Sequence, residues 1–90
     1  MYTKGFLMTE LAACQSLVET PQKSDGLLFT IDLIEHTLPL VDNEAQMTEE
    51  QAGHLGGMLS GMGHVFRERA WDMKDLLALQ IATYINSCRH

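Results

Sequence analysis

Cysteine, proline, aromatic residues and positive charge are all scarce in this 90-residue chain, and the scarcities exclude whole classes of protein. Two cysteines, Cys14 and Cys88, are too few for the disulfide scaffold of a small secreted domain. Neither sits in a CxxC or a Cys/His cluster, so no structural zinc site is expected and no cofactor is implied. Six Lys and Arg stand against twelve Asp and Glu, a formal charge of -6, which disfavours nucleic acid or an anionic membrane as partner. No uninterrupted apolar run is long enough to span a bilayer. The first eight residues carry one lysine and reach Glu10 before any apolar core forms, which is unlike a signal peptide. A reducing cytoplasm is the expected location. Met8-Thr9-Glu10 also reads as a natural start, so residues 1–7 are expected to be dispensable and flexible.

What remains is ordinary globular stock: 46% apolar, 20% charged, seven glycines. One domain, 1–90, is expected. A chain this short buries roughly 60–65% of its unfolded surface and is worth on the order of 5–9 kcal/mol when folded. Proteins near this size often draw support from a second subunit.

Four periodic segments are separated by turn chemistry. Leu7, Leu11, Cys14 and Val18 form a helical stripe over residues 3–19, which Pro21 ends. In 27–41, Leu27, Phe29, Ile31 and Leu33 alternate like a strand, while Leu27, Ile31, Ile34, Leu38 and Val41 follow helical steps. A lone strand has no pairing partner, so a helix is expected, capped by Ser24 or Asp25 and stopped by Pro39. Asp42 to Gln46 reads as a polar connection. Thr48-Glu49-Glu50-Gln51 fits a capping box, and Leu55, Met58, Leu59, Met62, Val65 and Phe66 extend that helix to about Ala70. A fourth helix starts near Asp72, with Met73, Leu76, Leu77, Ile81, Tyr84, Ile85 and Cys88 at helical spacing. The fold class is therefore all-α: a small antiparallel bundle of about four helices, expected to be dimeric. In that arrangement Cys14 and Cys88 differ by about 15 Å along the helix axis at ~1.5 Å per residue, too far for a disulfide.

The third helix is unusual for its glycines: Gly53, Gly56, Gly57, Gly61 and Gly63. Each costs about 1 kcal/mol relative to alanine inside a helix. At 100° per residue the Leu/Met/Phe stripe takes one side and Gly53, Gly57, Ser60, Gly61 and His64 take the other. Small residues four apart let another backbone approach closely. The expectation is a helix packed on both sides, its aliphatic stripe against its own bundle and its glycine face against a second copy. Glu50 and Glu68, like His54 and His64, are equidistant from Leu59, as an antiparallel two-fold crossing near that point would use.

Other chemistry is weaker. Glu50–His54, His64–Glu68 and Asp32–His36 are i,i+4 pairs that could share a metal ion, so a metal-binding bundle using His54, His64, Glu50 and Glu68 is the alternative function. There is no HExxH and no paired ExxH to support it. Ser60, His64 and Glu68 line one helical face, but a straight helix supplies no oxyanion hole. The glycines do not match a phosphate-binding loop. Arg67, Arg69, Trp71 and Lys74 cluster near the junction of helices three and four, interleaved with Glu68, Asp72 and Asp75; Arg67, Arg69 and Trp71 are candidates for contact with an acidic protein. The expected function is that of a small, acidic, non-catalytic interaction protein. It acts as a homodimeric regulator, inhibitor or adaptor of bacterial or phage type, with itself and an unidentified protein as partners. Self-association is assigned to Gly53, Gly57, Ser60, Gly61 and His64.

Overall fold

The computed structural model describes residues 4–64 and 71–88, residues 63 and 64 by their backbone alone. Within these, helices α1 (Lys4–Ser16), α2 (Asp25–Thr37), α3 (Glu49–His64) and α4 (Lys74–Asn86) carry the fold, and a 3₁₀ turn, Leu38–Leu40, follows α2. No strand occurs among the described residues. The chain is all-helical, as its periodicity implies.

Local chemistry fixes the boundaries. α1 stops three residues before the Glu19 expected from its stripe. Its last turn loosens into i,i+3 bonds, Leu17 N–H to Cys14 O at 3.1 Å and Val18 N–H to Gln15 O at 3.2 Å. Ser24 caps α2: extended at φ -153°, ψ 166°, it accepts from the Leu27 N–H at 3.1 Å. Pro39 removes an N–H, and the helix tightens into the 3₁₀ turn, closed by Val41 N–H to Leu38 O at 3.2 Å. At α3 the capping box is reciprocal. Thr48 Oγ1 accepts from the Gln51 N–H at 3.2 Å, and Gln51 Oε1 accepts from the Thr48 N–H at 2.9 Å. A cap of this kind contributes about 1 kcal/mol.

α2 is the hub. α1, α3 and α4 all pack against it. Phe29, Thr30, Leu33, Ile34 and Thr37 are buried, so more than one side of the helix is covered. That explains the mixed pattern in its sequence, where strand-like alternation and a helical stripe coexist: a helix packed from three directions uses both sets. The buried threonines satisfy their hydroxyls within the helix, Thr30 donating to Gly26 O at 2.9 Å and Thr37 to Leu33 O at 2.7 Å.

Two expectations need correction. Met73 and Leu76 fall on the apolar stripe of the last helix, yet they are 48% and 49% exposed. The buried face of α4 is instead Ala78, Ile81, Ala82 and Ile85. Alanines carry little weight in a hydrophobic pattern, but they let the helix lie close against α2 and so take the inward positions, turning Leu76 and Leu79 outward. The 42–46 connection is also more than a polar linker, because Ala45 and the adjacent Met47 are fully buried. It is clamped from the far end of the chain. Asn86 Oδ1 accepts from the Asp42 N–H at 2.8 Å, Asn86 Nδ2 donates to Leu40 O at 3.0 Å, and the Gln46 N–H donates to Cys88 O at 2.8 Å. Both cysteines are free, Cys88 buried and Cys14 half-buried.

Candidate interaction surface and interhelical cleft

α3 has two unlike sides. Ala52, Leu55 and Leu59 are buried, and Met62 packs partly against the core. Opposite them Gly53, Gly57, Ser60 and Gly61 are exposed. A methyl group built on Gly53, Gly57 or Gly61 would meet nothing within 4 Å, whereas one on Gly56 would lie 3.8 Å from Cζ of Phe6 on α1. None of the described glycines has a positive φ, so none is demanded by backbone conformation. The helix runs unbroken from Glu49 to His64. Gly53, Gly57 and Gly61 thus burden a continuous helix at positions where, among the described residues, a Cβ would have open space and no turn requires glycine. The sidedness expected from the sequence is present; among the described residues the glycine flank is open.

Of the alternative metal set, His54, His64, Glu50 and Glu68, only Glu50 and His54 have described side chains. Glu50 and His54 are both exposed, and the His54 ring leans on Tyr84 of α4, centroids 5.7 Å apart at 56°. His64 ends α3, while Glu68, with Arg67 and Arg69, lies outside the described residues. Among the described residues no group of three or more His, Cys, Asp or Glu side chains could hold a metal ion. Trp71 is 38% exposed, packs on Phe29 of α2 at 5.9 Å between centroids, and lies under the Lys74 ammonium at 5.4 Å. It is therefore anchored within its own chain. Among the described residues no helix is long and apolar enough to cross a membrane.

Two features carry no signal in the sequence. One is an ionic cluster joining α2 to α4. Lys74 Nζ lies 2.8 Å from Asp32 Oδ2, while His36 sits 3.4 Å from Asp32 Oδ1 and 3.8 Å from Asp75 Oδ1. His36 Nδ1 donates to the Asp32 carbonyl at 2.8 Å. The Asp32–His36 pair is thus committed to helix packing. The other is a cleft of about 370 Å³ where α1, α2 and α3 meet, walled by Leu27, Ile34 and Leu59, with Glu10, Cys14 and Ser60 among its polar lining.

Comparison with protein-family models, curated proteins and solved structures finds no match.

Three groups hold their protons more tightly in the fold than in the open chain. Burial, then the Glu10 carboxylate, pushes the Cys14 thiol up; burial, then Cys88 and Glu50, pushes Tyr84 up. The hydrogen bond to Asp32 raises Lys74, aided by the charges of Asp32 and Asp75 and opposed by partial desolvation. A group whose folded value is raised contributes stability that is complete below its unfolded value and is lost as pH rises through the folded value. The urea midpoint should therefore fall as pH passes the ordinary values of 9.0 for Cys14, 10.0 for Tyr84 and 10.5 for Lys74. Cys14→Ala should remove the first part of that decline. A midpoint that rises with pH over this window contradicts the assignment.

Proposed function

We propose that this chain is a small, acidic, non-catalytic interaction protein that works as a homodimer, with the glycine face of α3 as the surface between subunits. The observation that carries it is the open flank of Gly53, Gly57 and Gly61 on an unbroken helix. Each glycine costs about 1 kcal/mol against alanine, and among the described residues no atom lies within 4 Å of a Cβ built there to offset it. A second backbone laid across the flank supplies the missing compensation. Antiparallel two-fold packing, with Gly57 of one subunit near Gly61 of the other, makes such a contact self-complementary. The subunits add to a formal charge twice the -6 of one chain. Association is therefore expected to strengthen as salt screens that repulsion, with a Debye length of about 8 Å at physiological ionic strength.

Light scattering tests the proposal. The mass is expected at twice the 10.1 kDa of one chain, falling to a single chain in Gly57→Leu, at an exposed position where an added Cβ meets nothing within 4 Å among the described residues. A wild-type protein that stays at 10.1 kDa up to high micromolar concentration overturns it. The role assigned to the dimer, as regulator, inhibitor or adaptor for another protein, would be read by affinity capture with wild type and Gly57→Leu in parallel.

A further inference from the structure

The cleft between α1, α2 and α3 has the size of a small-molecule site and an uneven distribution of chemistry. Its volume, about 370 Å³, lies within the roughly 300–1,000 Å³ range of ligand pockets. Leu27, Ile34 and Leu59 wall it with branched aliphatic side chains, while Glu10, Cys14 and Ser60 add a carboxylate, a thiol and a hydroxyl. Glu10 is half-buried, and no ion pair involves it among the described residues. The N-terminus of α2 also lines the cleft, and a helix start carries roughly half a positive charge. That positive end is already answered by Ser24, which caps the Leu27 N–H, and by Asp25 in the first turn. The full negative charge of Glu10 therefore sets the polarity of the cleft.

We propose that this cleft is a binding site for small amphipathic amines: an alkyl or aryl body among Leu27, Ile34 and Leu59, and an ammonium group paired with the Glu10 carboxylate. The aliphatic body leaves water for an apolar wall, contributing about 25 cal/mol for each Å² buried. The ammonium gains a charge partner in a half-buried setting where the pair is less screened than at an open surface. An anionic ligand of the same shape meets Glu10 with like charge and is rejected.

Cys14 supplies a built-in reporter. It lines the cleft, whereas Cys88 is buried elsewhere in the core, so peptide mapping by mass spectrometry reads the two thiols separately. The experiment follows alkylation of Cys14 by iodoacetamide in the full chain, with hexylammonium, hexan-1-ol or hexanoate at millimolar concentration. Hexylammonium is expected to slow the reaction at least threefold and to shift the methyl resonances of Leu27, Ile34 and Leu59. Hexanol should act more weakly and hexanoate hardly at all. Glu10→Gln changes the basal rate, so each variant is compared with its own ligand-free rate; in it the advantage of hexylammonium over hexanol should vanish. Ser60→Trp, at an exposed position on the rim, should abolish protection; because Ser60 also lies on the proposed self-association face, it is compared in the Gly57→Leu background, where the circular dichroism melt should stay that of Gly57→Leu alone. Absence of both protection and methyl shifts in the wild type overturns the proposal, as does equal protection by hexanoate. The site does not rest on the dimer: Gly57 does not line the cleft, and Gly57→Leu should keep the full response to hexylammonium.

Discussion

Phe29→Ala should cost the fold about 3–5 kcal/mol, the usual penalty for emptying a large aromatic site in a core. Phe29 is among the largest fully buried side chains and sits on the helix that all the others use. Set against a total on the order of 5–9 kcal/mol for a domain of this length, the loss leaves the chain near its unfolding threshold at 37 °C. The cavity opens beneath Trp71, whose ring rests on Phe29, so tryptophan emission should move to longer wavelength before global melting. Leu40→Ala, at a position 44% exposed, serves as control and should change stability by no more than about 0.5 kcal/mol. A Phe29→Ala protein that melts within a few degrees of wild type would mean that α2 is not the element on which the core depends.

The second large effect has opposite signs in two measurements. Replacing Gly53, Gly57 and Gly61 together by alanine gains about 0.5–1 kcal/mol of helix stability at each position, since every added methyl group enters open space. The single chain should therefore gain about 1.5–3 kcal/mol, a rise in Tm on the order of 10 °C for a domain of this size. The same methyl groups hold two backbones apart, so the proposed dimer should dissociate and the Tm should cease to depend on protein concentration. Stability and association are expected to move apart in one variant. A triple variant that remains dimeric shows that the interface lies elsewhere. A triple variant less stable than the dilute wild-type chain shows that the flank is packed in some way the helix geometry does not reveal.

The parts of this fold legible in sequence are those decided within one turn of chain. The Thr48/Gln51 capping box, the Ser24 cap and the stop at Pro39 are each set by residues three or four apart, and each has the geometry expected of it. The opposition of glycines and aliphatic residues on α3 is likewise a property of one helix. The illegible parts depend on residues far apart in the chain. Leu76 resembles a core residue until Ala78 and Ala82 are seen against α2. Lys74 and Asp32 pair across two helices. The cleft exists only because Glu10 and Cys14, Leu27 and Ile34, and Leu59 and Ser60 are carried to one place by three separate helices. A carboxylate and a thiol four residues apart on α1 are plain in the sequence, but nothing near them in the chain marks them as facing a cavity.

The clamp formed by Asn86 bears on how the molecule is made. Its two bonds reach back across 44 and 46 positions, to Asp42 and Leu40, and Cys88 fastens Gln46 from the same end. During synthesis, the stretch between α2 and α3 emerges with its amide groups still bound to water, and it stays that way until the last helix follows. Closing so wide a loop is an entropic expense that local helix formation does not meet. Ala45 and Met47 are therefore expected to settle into their buried places only once α4 has formed.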